Sequence, residues 1–203
     1  MMMMNKAMPG ISEQEIRWMR EVYTKFGTQP VQDIGDAASY LYQNYGVSAQ
    51  TLMGGLSNSD IGNIILRNAG SAQEASRSAS SLMIAEAAMS NANMDSSGVM
   101  KLIEDIMTSD FVDMSRDPQN TAMLASLFSG DPETSFFSLK RDLEEGRIAE
   151  VVDKIMSDMG EKLSEDPTLY RNIFKSVGWD ESFIRDVENY GPQVSSTINE
   201  ALS

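Results

Sequence analysis

Histidine and cysteine are both absent from this chain of 203 residues. Their absence excludes a disulfide framework, a cysteine nucleophile, a Ser-His-Asp triad, a histidine general base and an ordinary zinc site. A phosphate-binding P-loop is missing too, because Gly54-Gly55 is not followed by Lys-Ser or Lys-Thr. We therefore expect neither an enzyme of these classes nor a bound cofactor.

Long apolar runs are also missing. No window approaches the roughly 18 consecutive apolar residues of a membrane helix, and the run Met1 to Met4 is too short for the apolar core of a signal peptide. The content of 41% hydrophobic and 23% charged residues is typical of globular proteins. We expect a soluble chain, cytoplasmic or particle-associated, that has no contact with membranes and has a flexible tail at residues 1–10.

Alternating strand patterns are scarce, whereas signals for helix starts recur along the whole chain. Two capping boxes and three Asp-Pro starts are present: Ser12/Glu15, Ser71/Glu74, Asp117-Pro118, Asp131-Pro132 and Asp166-Pro167. No heptad pattern lasts long enough for a coiled coil. The sequence predicts an all-α fold, a compact orthogonal bundle of about nine or ten short helices with no sheet.

Glycine sets several of the expected helix ends. A short helix capped by Ser48 is predicted to end at Gly54-Gly55, and Gly191 is predicted to separate helices at 181–189 and 193–202. Three further C-cap candidates are Gly130, Gly146 and Gly178. The Ala/Ser-rich segment 72–90 predicts a helix that either packs closely through its short side chains or lies on the surface.

Charge divides the chain unevenly. The net charge is -14, and residues 1–100 carry 6 basic and 9 acidic residues whereas residues 101–203 carry 10 and 21. The polar stretch 90–98 is the best candidate linker. We expect an N-terminal helical module at 11–90 and an acidic helical module at 97–203, which either stand apart or share one core.

The stretch 44–58 has the outline of a helix-turn-helix, but it lacks DNA-binding chemistry. Its second helix offers only Gln50 as a useful polar group, and no Lys or Arg occurs between Lys25 and Arg67. Since cations supply most non-specific affinity for phosphates, we expect no direct nucleic-acid binding. With its caps and glycines the stretch resembles small helical modules of phage and bacterial accessory proteins, which implies a binding or assembly role.

Carboxylates are the remaining candidates for catalysis or for holding a hard metal ion. The adjacent or nearby pairs are Glu104/Asp105, Glu144/Glu145 and Asp153/Asp158. On acidic helices such groups usually form solvated faces, so we expect no metal site and no catalytic residue here.

Aromatic residues give the best indication of a partner-binding site. Trp18 lies between Arg17 and Arg20, and Trp and Arg are favoured in interface hot spots. The alternative is that Trp18 belongs to the core. At least one ring of the adjacent pair Phe136-Phe137 must leave the buried face of its helix. Trp179 precedes a cap at Asp180 and either packs on Phe183 or Ile184, or faces a partner.

Methionine is unusually frequent, with 16 residues, of which 12 remain after the first four. Such residues fill gaps in a core or line an adaptable groove for a partner helix. Both interpretations stay open at the level of sequence.

These observations favour a non-enzymatic helical interaction or assembly protein, of the kind associated with phage or other particles. Its partners are proteins or further copies of the chain, and its anchor residues are Trp18, Arg17, Phe136, Phe137 and Trp179. The alternative is an acidic regulator that occupies a basic or nucleic-acid-binding site on another protein. A carboxylate metal-dependent enzyme is the remote alternative.

Overall fold

The computed structural model describes residues 11–57, 60–126, 130–176 and 178–203. The predicted flexible tail, residues 1–10, lies outside these ranges. Within them no β-strand is present and twelve helices follow one another: α1 Glu13–Phe26, α2 Thr28–Tyr45, α3 Ala49–Ser57, α4 Asp60–Asn68, α5 Ala72–Asn91, α6 Ser97–Thr108, α7 Phe111–Ser115, α8 Pro118–Ser126, α9 Pro132–Glu144, α10 Ile148–Glu165, α11 Pro167–Ser176 and α12 Glu181–Leu202. The all-α prediction is confirmed, and the predicted count of nine or ten helices is too low.

Side-chain caps begin many of these helices, as the sequence indicates. The Ser12 side chain accepts a hydrogen bond from the backbone N–H of Glu15, whose carboxylate accepts one from the N–H of Ser12. All three Asp-Pro aspartates accept a bond from an N–H in the first turn of their helices: Asp117 from Gln119, Asp131 from Thr134 and Asp166 from Leu169. These bonds satisfy N–H groups that otherwise lack partners at a helix start.

The Ala/Ser-rich helix α5 lies at the centre of the fold. It packs against α2 and α3 from the first half of the chain and against α10 and α12 from the second. Residues around its whole circumference are buried, among them Ala79, Leu82 and Ala88. Because its side chains are short, several helices can approach it at once. The surface alternative for this segment is wrong.

One hydrophobic cluster extends through both halves of the sequence, from Trp18 in α1 to Ile198 in α12. Helix α5, from the first half, supplies the contact with α10 and α12 of the second. The division of the chain at 90–98 into two modules stays a prediction about domain organisation.

Methionine belongs mainly to this core. Of the eleven methionines among the described residues, ten are buried and Met107 is partly buried against the cluster. A flexible thioether side chain fills irregular gaps between helices of different orientation. The core interpretation therefore accounts for the methionines that the structure describes.

Two predicted helix ends are wrong. Helix α3 runs through Gly54-Gly55 to Ser57, because Leu52, Met53 and Leu56 are buried on one face. The predicted helices at 181–189 and 193–202 are one helix, α12, which passes through Gly191 and Pro192.

Burial explains why α12 continues past its proline. Ile184, Val187, Val194 and Ile198 lie on one buried stripe that spans both sides of Pro192. Gly191 is buried within this stripe, at the contact with α10, where an added Cβ would lie 3.6 Å from Val187 Cγ1 and 3.9 Å from the Met156 carbonyl oxygen. Burial of this stripe offsets the hydrogen bond that Pro192 cannot donate.

Candidate interaction surface

The five residues predicted to bind a partner lie in three different places. Trp18 is 4% exposed, and its indole N–H donates a hydrogen bond to the Gly62 carbonyl oxygen in α4 at 3.1 Å. Arg17, its neighbour, is exposed. The core alternative therefore describes the position of Trp18, and an exposed patch built around this indole is not present in the structure.

Trp179 is also buried, with 7% of its surface exposed, and its ring contacts rings of α11 and α12. Its ring centroid lies 5.5 Å from that of Phe174 and 5.5 Å from that of Phe183. The indole also lies against Gly98, where a Cβ would approach its Cδ1 atom to 3.2 Å. The staple between Trp179 and Phe183 is confirmed, and this ring fixes the start of α12 against α6 and α11.

The adjacent phenylalanines of α9 divide between core and surface. Phe136 is fully buried, whereas Phe137 is 52% exposed. Their ring centroids lie 5.4 Å apart at an interplanar angle of 78°, an edge-to-face contact. The prediction that one of the two rings leaves the buried face is confirmed.

Helix α7 completes a small aromatic cluster with this pair. Phe111 lies 5.7 Å from Phe136 and 6.2 Å from Phe137 between ring centroids. The next residue, Val112, is 60% exposed. We call Phe111, Val112 and Phe137 the aromatic patch. Helix α7 was not predicted from the sequence, in which its one signal is Asp110, whose side chain accepts a bond from the N–H of Asp113 at 2.9 Å.

Phe137 differs in chemistry from most of the other exposed large apolar side chains. Besides Val112 and Phe137, the exposed large apolar residues in the described ranges are Tyr23, Tyr40, Tyr42, Leu169, Tyr190 and Leu202. The tyrosines keep a hydroxyl group that can bind water, whereas Phe137 has none. Within the described ranges, Phe137 is therefore the one exposed aromatic ring that lacks a hydroxyl group.

Lys140 contacts both the end of α6 and the Phe136 ring beneath the aromatic patch. The Lys140 ammonium donates a hydrogen bond to the Ser109 carbonyl oxygen at 2.6 Å, at the C-terminal end of α6. The same ammonium lies 5.5 Å from the Phe136 ring centroid. A cation at a helix C-terminus is favourable, and a cation over a ring is attracted to its face. Lys140 therefore ties α9 to the segment that leads into α7.

The proposed reading helix of a helix-turn-helix, α3, is part of the core. Its bulky residues Leu52, Met53 and Leu56 are fully buried, and it packs against α1, α2, α4 and α5. The turn before it is as the sequence indicates, with Gly46 in the left-handed conformation and Ser48 accepting a bond from the N–H of Thr51. The turn and cap thus position a core helix.

Cations in the acidic half are mostly engaged within the chain. Nine of its ten Lys and Arg residues contact a carboxylate or a carbonyl oxygen: Lys101 with Asp105, Arg116 with Asp113, Lys140 with Ser109, Arg141, Arg147 and Lys154 with Asp142, Lys162 with Glu165, Arg171 with Glu188 and Lys175 with Glu181. Phosphate binding by these groups would have to displace intramolecular contacts.

The carboxylate pairs do not assemble into a site for a metal ion. Partial burial and the neighbouring Asp60 and Asp105 raise the pKa of Glu104, and Glu145 forms an ion pair with Arg147 at 2.6 Å. Over the described ranges, no group of three or more acidic side chains could hold a metal ion. No described helix is long and apolar enough to cross a membrane.

Burial also raises the pKa of Glu86 in α5. Its side chain lies against Gly55, where a Cβ would approach its Cγ and Oε1 atoms to 3.1 Å. Desolvation raises the pKa of Glu86, a hydrogen bond from Ser96 lowers it, and the charge of Asp95 raises it. Helix α3 itself contributes no titratable side chain to this contact. Glu86 therefore lies in a helix contact that disfavours its charged form.

We expect Glu86→Gln to stabilise the protein at neutral pH. A carboxyl with a raised pKa in the folded state destabilises it once ionised. The wild type is therefore expected to lose stability as pH rises from the ordinary glutamate pKa through the raised one. The measurement is the free energy of unfolding in urea from pH 4 to 8, on a scale of about 1 kcal/mol. The free energy of unfolding of E86Q should exceed that of the wild type at neutral pH, and the two values should converge in acid. Glu21→Gln, at an exposed position, is the control for loss of a carboxylate. If E86Q is less stable than the wild type at neutral pH, the ionised Glu86 does not destabilise the fold.

Comparison with known proteins supplies no relative. No protein-family model, no curated protein and no solved structure matches this chain significantly.

Proposed function

We propose that this chain is a non-enzymatic interaction or assembly protein that binds a protein partner through the aromatic patch. The observation that carries the proposal is the half-exposed ring of Phe137 above the ring cluster of Phe111 and Phe136. Burial of an apolar side chain of this size stabilises an interface by about 1.5–3 kcal/mol. Rings fixed by neighbours also lose little entropy when they bind.

The rest of the molecule supports a binding role rather than a chemical one. Histidine and cysteine are absent from the sequence, and the described carboxylates form no metal-binding cluster. The engaged cations of residues 101–203 favour a protein over a nucleic acid as partner. A component of a larger particle fits this proposal, in agreement with the accessory-protein resemblance of residues 44–58.

The test is capture of partners from the native source by the wild type and by Phe137→Ser. We expect the variant to lose at least about tenfold in retained partner, as is usual for a hot-spot aromatic residue. Phe137 is half exposed, so the free energy of unfolding should fall by only about 1 kcal/mol. Tyr42→Ser, which alters a residue that is 59% exposed on α2, is the matched control. Equal capture by F137S and Y42S contradicts the proposal.

A further inference from the structure

Acidic residues lie at both ends of the α9 face that carries Phe137, and Lys140 lies between them. Glu133 precedes Phe137 by one turn and Glu144 follows it by two, so that helical geometry places all three on one stripe. Both carboxylates are exposed, and neither forms a salt bridge within the described part of the chain. They are therefore free to meet charges on a partner.

Neighbouring cations are less available. Lys140 binds the Ser109 carbonyl oxygen, and Arg116, which follows the patch residue Val112 by one helical turn, pairs with Asp113 at 2.9 Å. Arg141 lies 3.8 Å from the buried Asp142, although much of its side chain is exposed. The unpaired charges around Phe137 are thus predominantly carboxylates, within a chain whose net charge is -14.

Glu144 also lies where it does not help its own helix. It is the last residue of α9, and a negative charge at a helix C-terminus is unfavourable. Glu145, the next residue, pairs with Arg147, whereas Glu144 has no such compensation. A partner cation opposite Glu144 would remove this unfavourable interaction.

We propose that the partner at the aromatic patch is a cationic amphipathic segment of a different protein; this inference rests on the proposed function. An apolar side chain of the segment covers Phe137 and Val112, and its Lys or Arg residues face Glu133 and Glu144. A second copy of this chain is disfavoured as the occupant, because both copies would carry the same charge of -14.

The probes are two short labelled amphipathic peptides, one of leucine and lysine and one of leucine and glutamate. We expect the lysine peptide to bind and the glutamate peptide not to bind. The double variant E133Q/E144Q should bind the lysine peptide about threefold to tenfold more weakly, and the affinity should depend less on salt. F137S should bind the lysine peptide about tenfold or more weakly. The control E21Q/E161Q removes the same charge from exposed sites on α1 and α10.

Binding of the glutamate peptide, or equal losses in E133Q/E144Q and E21Q/E161Q, would overturn the cationic partner. Light scattering at low and high salt is expected to give a monomer, and a dimer abolished by F137S would overturn the heterologous partner. Capture of partners from the native source distinguishes failure of this inference from failure of the proposed function. Loss with F137S but not with E133Q/E144Q removes this inference and leaves the proposed function, whereas no loss with either variant removes both.

Discussion

Substitution of Gly62 by alanine is expected to lower the free energy of unfolding by about 3 kcal/mol or more. Gly62 lies in the first turn of α4, where an added Cβ would meet the Leu56 carbonyl oxygen at 1.6 Å. Backbone atoms cannot turn aside as a side chain can, so α3 and α4 must separate. That movement also withdraws the Gly62 carbonyl oxygen from the buried indole N–H of Trp18.

Gly160→Ala is the matched control for this prediction. Gly160 lies within α10, and no atom outside its own helix backbone lies within 4 Å of the position a Cβ would take. Alanine favours a helix more than glycine does, so G160A should gain about 0.5–1 kcal/mol. Urea unfolding measures both variants. If G62A is as stable as the wild type, the close approach of α3 and α4 is wrong.

The second large effect is expected at Asp142, a carboxylate buried between α9 and α10. It is 1% exposed and contacts Arg147 Nη2 at 2.5 Å and the Lys154 ammonium. Asp142→Asn retains the shape of the side chain but removes the charge that both cations face. We expect a loss of about 3 kcal/mol, at the lower end for a broken buried pair, because both cations also reach water.

Glu145→Gln separates this effect from the general loss of a carboxylate near Arg147. Glu145 is 53% exposed and contacts Arg147 at 2.6 Å. An exposed pair contributes little, so the expected loss is under about 1 kcal/mol. Denaturant unfolding of D142N and E145Q at neutral pH gives the comparison. Equal, small losses would show that the buried carboxylate does not hold α9 to α10.

The helix starts were predictable because their causes are local. A side chain such as Asp131 or Asp166 satisfies the N–H three residues later, whatever the rest of the fold does. The continuation of α3 through Gly54-Gly55 and of α12 through Gly191 was not predictable in this way. Both helices continue because their buried faces continue, and burial depends on residues far away in the sequence.

The candidate site was predictable only in part. The pair Phe136-Phe137 requires one exposed ring, but the helical period alone does not select Phe137. That selection comes from α7, a single turn too short for any periodic pattern to reveal, which places Phe111 beside both rings. In the same way, Trp18 has the neighbours of a hot spot in sequence, and only the approach of α4 shows that it is buried.

The most direct test of the aromatic patch is photo-crosslinking with a benzophenone amino acid placed at residue 137 in the native source. We expect a discrete adduct with a protein partner of basic surface from position 137, and none from position 42 on α2. No adduct at 137, or the same adducts from both positions, would contradict the claim that the ring of Phe137 is where this chain meets its partner.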